Sequence, residues 1–301
     1  MEILKYVPQM SAELAEVYNA AVRGVPHCHD VGAEEFAEAL SAAADGSGST
    51  EKMHSEAAFV ATDGARALGL VHVAVERPEG PAGPEKGLIR FLAYPRGRRG
   101  TGQALLEAGE DYLRRRGLGR VEAFGHKGRY RFYHLGCALL SDRLDHVRAL
   151  LQFNGYEACC GEVFLDWPDC EPPEPAPADV EAEISVTVQP GRGKRPDVAV
   201  QATRDGEWAG SCECVSCGKY SRAEAAQDWT YTVGLNVAGG LQGRGLGRYL
   251  LRRALREARG AGYRHAAIST GWDNYRAFLF YSNYGYRVSD WTYAFARERD
   301  R

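Results

Sequence analysis

Gln242-Gly243-Arg244-Gly245-Leu246-Gly247 sits between an extended run and a strongly periodic helix. Upstream, Trp229–Val237 is rich in β-formers. Downstream, Leu246, Leu250, Ala254 and Ala258 recur every four residues, with Leu251 and Leu255 beside them. Arg248, Arg252, Arg253 and Arg256 fall mostly on the other face. A strand that feeds through a Gly-rich turn into a helix exposes a row of unpaired backbone N–H groups at the positive end of the helix dipole. Such a turn is a site for phosphate or pyrophosphate, and its glycines let the anion approach the backbone.

Spacing decides which anion-binding device this is. A Walker A loop needs Gly-x4-Gly-Lys-Ser/Thr, and the chain contains no such string. The dinucleotide fingerprint needs a third glycine that neither glycine pair here supplies. The pattern that fits is Gln/Arg-x-x-Gly-x-Gly/Ala at Gln242, Gly245 and Gly247, which resembles the acyl-CoA pyrophosphate loop of the GNAT N-acetyltransferases. A second stretch, Asn274-x-x-Ala277-x-x-x-Tyr281-x-x-x-Gly285-Tyr286, resembles that family's other signature. Asn274 and Tyr281 are two helical turns apart and can face one groove. The resemblance covers roughly residues 182–297.

A poorer copy lies upstream. Phe91–Pro95 precedes Arg96-Gly97-Arg98-Arg99-Gly100-Thr101-Gly102 and a helical run from Gln103 to Arg116, with Gly97 where Gln or Arg is expected. The segment from Asp145 to Tyr156 imitates the second signature but has Leu151 in place of the tyrosine. We read two repeated domains rather than a solenoid. The expected fold is α/β (α+β): two GNAT domains, each a mixed, mostly antiparallel twisted sheet with flanking helices. Residues 1–170 form a degenerate, non-catalytic N-terminal domain, 171–181 a Pro- and acid-rich linker, and 182–301 a catalytic C-terminal domain. The architecture is similar to that of mycothiol synthase, without implying that substrate.

Bulk properties agree. A length of 301 residues suits about two domains. A net charge of −3 gives no general attraction to nucleic acid or anionic membrane. The start reads as a short strand rather than a signal peptide, and no apolar run reaches the ~18 residues of a membrane span, so we expect a cytoplasmic protein, monomeric or homodimeric. Pro168, Pro172, Pro173, Pro175 and Pro177 alternate with Asp169, Glu171, Glu174 and Asp179, predicting an extended linker.

The N-terminal half reads as a strand at 2–7, helices near 10–23 and 33–44, and strands near 57–62, 66–76 and 87–94. The loop-helix, a strand near 119–125, a helix at 145–154 and a strand at 156–166 follow; 126–144 is an unassigned extra stretch. In the C-terminal half, strands Ile184–Val188 and Val198–Thr203 are joined by nine residues containing Pro190, Gly191, Gly193 and Pro196, too few for the two helices that wall the acceptor side of a GNAT site. We expect the N-terminal domain or another subunit to supply that wall.

The resemblance implies acetyl-CoA as co-substrate and direct attack of a primary amine on its thioester. Tyr281 is then the general acid for the leaving thiolate. Gly243, Arg244, Gly245, Leu246, Gly247 and Arg248 offer backbone N–H groups to the pyrophosphate, with Gln242 in the motif. Asn274 contacts the pantetheine arm, and the N–H of Asn236 or Val237 binds the thioester carbonyl. The side chains of Arg244 and Arg248 either add charge or form a solvated basic face. Candidates for the general base are Asp228, Tyr231, Glu213, Asp273 and His265, with Asp273 also suited to a helix N-cap. Cys212, Cys214 and Cys217 invite zinc, but their spacing lacks the paired knuckles of a tetrahedral site, so we expect free thiols and no metal. The expected partner is a small-molecule amine, with no nucleic acid and no membrane. The alternative is a non-catalytic acyl-CoA sensor or regulatory protein.

Overall fold

A computed structural model describes residues 1–298 apart from 47, 49, 65, 79–82, 129 and 138. The chain divides into two units, Met1–Glu162 with Asp290–Arg301, and Val163–Ser289. The first contains β1 (Glu2–Lys5), α1 (Ser11–Val22), α2 (Ala33–Asp45), β2 (Met53–Asp63), β3 (Arg66–Glu76) and β4 (Lys86–Ala93). It continues with α3 (Arg99–Arg114), β5 (Arg120–Ala123), β6 (Leu140–Ser141) and α4 (Asp145–Phe153). The division then falls inside β7 (Glu157–Trp167). The second unit carries β8 (Glu183–Gln189), β9 (Asp197–Arg204), β10 (Glu207–Ser216), β11 (Trp229–Val237), α5 (Leu246–Gly260), β12 (His265–Gly271) and α6 (Tyr275–Ser282). The last strand, β13 (Arg287–Glu298), crosses the division again at 289/290.

In unit 1 the strands run β1-β2-β3-β4-β5-β13. All of these pairs are antiparallel except the parallel β4–β5. In unit 2 the order is β12-β11-β10-β9-β8, with only β11–β12 parallel. Each is the mixed, mostly antiparallel sheet expected. The chain boundaries are less simple than a cut at 171–181. Asp290–Glu298 joins unit 1, where Phe295 pairs with Ala123 and enters the core. Val163–Trp167 belongs to unit 2.

The segment 171–181 is not a free linker. It is laid along α5 as a strap. Glu174 pairs with Arg256 at 2.5 Å, and Arg256 also donates to the Pro172 carbonyl at 3.5 Å. Upstream, the Cys170 N–H bonds the Arg264 carbonyl at 2.8 Å. Downstream, Val180 is buried. Part of the basic face of α5 is thereby used to hold the strap rather than left to solvent.

No helix separates β8 from β9, and the sheet shows why none is needed. Val198, Val200, Cys212 and Cys214 are buried on the face that α5 covers. On the opposite face, register aligns Ser185 with Gln201 and Ser211, and Thr187 with Ala199 and Glu213. Apart from the small Ala199, these side chains hydrogen-bond to water and need no apolar cover.

The stretch 126–144, unassigned from sequence, sends aromatic rings into the interior of unit 1. Tyr130, Phe132 and Tyr133 are buried. Their rings pack on Phe91, with Tyr130 5.3 Å from it and stacked, and Tyr133 5.3 Å away edge-on. Beneath them lies a buried polar cluster. Glu56 accepts from Arg90 and from His72 Nε2 at 3.0 Å, while the Tyr130 hydroxyl donates to His72 Nδ1 at 2.8 Å.

Burial, reinforced by the Arg90 charge, pulls the His72 pKa down to about 4. An unfolded chain takes up that proton near pH 6.5. The neutral-imidazole contribution is therefore intact above pH 6.5 and lost as pH falls toward 4. We expect unit 1 to lose about 2 kcal/mol between pH 7 and pH 5 from this group. Denaturant melts at both pH values should show a shallower loss in His72→Gln than in the wild-type chain. Equal slopes would exclude His72 as the cause.

Candidate active site

The polypeptide path into the glycine-rich turn begins with a fault in pairing. Between β10 and β11, Glu213 faces Gly234 and Cys214 faces Thr232, so Val233 is an extra, bulged residue. The parallel β11–β12 pairing has its last partners at Thr232 and Ile268. Beyond that point β11 has an open edge.

Which backbone groups line the open edge follows from strand alternation. The Ala238 N–H bonds the Ala209 carbonyl beside β10, and the Asn236 carbonyl is directed toward Gly210 on the same strand. Asn236 therefore spends its backbone on β10. Val237 and Leu235 present theirs to the other side. The Val237 carbonyl does accept from Gln242 Nε2 at 3.0 Å. Of the two backbone donors expected from sequence, the geometry retains Val237 and turns Asn236 away.

The turn itself requires glycine. Gly243 and Gly245 have φ of 79° and 84°, a region that costs side-chain-bearing residues energy, and Gly245 is the N-cap of α5. The Tyr249 N–H makes the first helical bond, to the Gly245 carbonyl. The amides of Leu246, Gly247 and Arg248 thus have no carbonyl one turn back and point out of the helix end. The Leu246 side chain is buried with Leu250, Leu251, Ala254, Leu255 and Ala258, which anchor the helix to the sheet. At Arg248, the buried Nε has no hydrogen-bond partner. Arg244 is differently employed: its guanidinium donates to the Asp179 carbonyl at 2.5 Å.

A cavity of about 590 Å³ joins this turn to α6. Its lining includes Val237, Gln242, Gly243, Gly245, Gly247, Arg248, Asn274 and Tyr281, all expected from sequence. It also includes Ala277 of the second signature, and Asp179, Leu235, Arg276, Phe280 and Tyr284, to which the sequence assigns no role. Phe280 and Tyr284 fall at helical spacing from Ala277 and Tyr281, the one sequence signal that marks them. Gln242 bridges the two sides, since its Oε1 accepts from Arg276 at 3.1 Å.

Asn274, not Asp273, caps α6: its side chain accepts from the Ala277 N–H at 3.2 Å. The amide nitrogen of Asn274 is left for other partners. Tyr281 is 7% exposed. Burial, with a smaller contribution from Cys212, raises its pKa well above the usual tyrosine value, so the phenol stays protonated.

None of the five base candidates lines the cavity. Asp228 pairs with Arg195 at 2.7 Å, and the Tyr231 and Ser269 hydroxyls share a 2.7 Å bond. His265 Nδ1 accepts from the Asp169 N–H at 2.8 Å. Glu213 is exposed on the polar sheet face, and Asp273 is exposed before α6. Cys212, Cys214 and Cys217 are all buried. No cluster of three or more His, Cys, Asp or Glu suited to a metal occurs among the described residues. No helix among them is long and apolar enough to cross a membrane.

Unit 1 has the same bulge, with Arg90 extra between Phe91 and Ile89 opposite His72 and Val73. Counting from the bulges, Tyr94 stands where unit 2 has Val237. The Tyr94 hydroxyl donates to the His146 carbonyl at 2.8 Å, and His146 Nε2 donates to the Tyr94 carbonyl at 3.0 Å. The two rings are 4.9 Å apart. This direct closure occupies the gap that Gln242 spans in unit 2. Gly102 lies under the Tyr94 ring, where a Cβ would approach to 2.5 Å. Leu151 is fully buried in the core.

Residues 161–286 match the sequence model of the Acetyltransferase (GNAT) family. A search of curated proteins finds no significant match. Among solved structures, a tandem GNAT protein from the clavulanic acid biosynthesis pathway superposes with a TM-score of 0.70 at 14% identity, over 100% of this chain and 99% of that one. A GCN5-related N-acetyltransferase from Sphaerobacter thermophilus gives 0.63 at 15% identity, over 99% and 95%. At these identities the likeness is one of fold. The matched stretch begins at 161, inside β7, close to where unit 2 itself begins. Residues 161–286 thus resemble the GNAT acetyltransferase family in sequence, within a chain that has the fold of a tandem GNAT protein.

Proposed function

We propose that unit 2 is an acetyl-CoA-dependent N-acetyltransferase acting on a small-molecule primary amine. The observation that carries this reading is the single cavity that brings the glycine turn, Asn274 and Tyr281 together. In this reading the amides of the turn and Arg248 hold the pyrophosphate. The free amide nitrogen of Asn274 serves the pantetheine arm. The Val237 N–H polarises the thioester carbonyl at the open edge of β11. The neutral amine attacks that carbon, the C–S bond breaks, and the thiolate takes its proton from Tyr281; the proton shed by the attacking nitrogen passes to solvent water, from which the Tyr281 phenolate is reprotonated.

Unit 1 has no catalytic part in this proposal. Its tyrosine position is Leu151, its gap is closed by Tyr94 and His146, and its interior is filled by Tyr130 and Tyr133.

Calorimetric titration with acetyl-CoA tests the site. Gly245→Val forces a β-branched residue to a positive φ and moves the amides, so its affinity should fall about tenfold or more, a loss of ~1.4 kcal/mol. An unchanged affinity in a variant that melts like wild type would remove the turn from the binding site. Thiol release from acetyl-CoA on adding primary amines distinguishes an enzyme from a sensor.

A further inference from the structure

The strap ends on the glycine turn. The Asp179 N–H bonds the Arg244 carbonyl at 2.9 Å, and the Arg244 guanidinium returns a bond to the Asp179 carbonyl at 2.5 Å. Ala178 packs on Gly245, 3.6 Å from where a Cβ would stand. Arg256, one side of α5 further along, fixes Glu174 and Pro172, and Val180 is buried immediately after. A segment whose composition predicts an extended linker is thus tied down on both sides of Asp179.

Asp179 is exposed, lines the cavity, and no hydrogen bond or ion pair engages its carboxylate among the described residues. The wall it shares includes Gly243, Gly245, Gly247 and Arg248. A fixed negative charge therefore stands beside amides and a cation arranged for a polyanion. Without the strap, the same turn would offer only attraction.

We propose that Asp179 is an electrostatic brake on coenzyme binding, held in place by Arg244 as a positioning residue, and that it sets how readily the CoA product leaves. This rests on the reading of unit 2 as an acetyl-CoA site. It also reassigns Arg244: the side chain holds the strap and does not serve as a phosphate ligand. Repulsion between one carboxylate and a diphosphate at the rim of a solvent-exposed cleft changes affinity by a modest factor and is screened by salt.

The experiment is a double-mutant cycle on acetyl-CoA affinity, measured by calorimetry on the full chain at about 50 mM and about 500 mM salt. Asp179→Asn should tighten acetyl-CoA about three- to tenfold at low salt, with most of the gain gone at high salt. In an Arg244→Ala background, where the strap is released, the same change should give less than about twofold. Stopped-flow displacement should place the low-salt gain in a slower CoA off-rate.

Unchanged or weaker binding by Asp179→Asn overturns the proposal, as does an equal effect in both backgrounds. A tenfold loss in Arg244→Ala alone, with no coupling to position 179, would restore Arg244 as a phosphate ligand. If the wild-type chain binds no acetyl-CoA, the reading of the site fails and this proposal with it. Binding by wild type with no response at Asp179 removes the brake only.

Discussion

Tyr281→Phe is expected to lower kcat for amine acetylation by about one to three orders of magnitude while changing acetyl-CoA affinity less than about twofold. The substitution removes one oxygen from a ring whose packing is otherwise kept: Tyr281 lies 5.3 Å from Phe280 and 6.0 Å from Tyr286, centroid to centroid. The pocket shape and the turn are therefore unchanged, and what is lost is the proton for the departing thiolate. Because burial raises the Tyr281 pKa, the acid form persists, and wild-type kcat should show no alkaline limb from this group below about pH 10. Steady-state thiol release across pH, with calorimetric acetyl-CoA titration of both proteins, reads both claims. A variant with wild-type kcat would remove Tyr281 from its role. A variant that lost affinity and turnover together would make it a binding residue.

Much of this site is legible in the sequence because its requirements are local. Two residues at positive φ demand Gly243 and Gly245, helical periodicity from Leu246 onward fixes which face is buried, and seven-residue spacing puts Asn274 and Tyr281 on one side of α6. Choosing between Asp273 and Asn274 as cap was beyond composition, since both residue types accept from an N–H equally well. The choice between Asn236 and Val237 has a longer-range cause. Which amides face the cleft depends on the pairing of β11 with β10 and on the bulge at Val233, and neither is written in β11 alone. The strap shows the same limit. Proline and acidic residues say that 171–181 forms neither helix nor ladder, but its ties to Arg256 and Arg244 depend on the arginine face of α5. A charged face can equally well remain in water.

The unit boundaries lay furthest from view, and they carry the second large prediction. A chain ending at Ser289 should fail to yield a folded unit 1, although it keeps every residue of 1–162. Asp290, Thr292, Ala294 and Phe295 are all buried, and Phe295 lies in the core cluster of unit 1. Loss of a buried phenylalanine alone costs about 3–5 kcal/mol. Asp290 also accepts from Ser141 at 2.5 Å and from His134 Nε2 at 3.0 Å. Removing it takes one buried hydrogen-bond partner from each of two fully buried side chains, at about 1–3 kcal/mol each. β5 would lose its antiparallel partner as well. Together these approach or exceed the ~5–15 kcal/mol that holds a typical domain folded. The reciprocal fragment, 178–301, fares no better. It lacks Val163–Trp167, hence three fully buried side chains at Val163, Phe164 and Leu165 and the Trp167 ring over Gly285, where a Cβ would approach to 2.6 Å. It also carries Asp290–Glu298 with its unit 1 partners gone, an unpaired strand prone to aggregate. Soluble yield, near-UV circular dichroism and hydrogen exchange of the two truncations should show loss of fixed tertiary structure in the unit deprived of its strand. A monodisperse 178–301 fragment with native acetyl-CoA affinity would mean that the second unit is complete without β7, and the exchange of strands would then have no energetic weight.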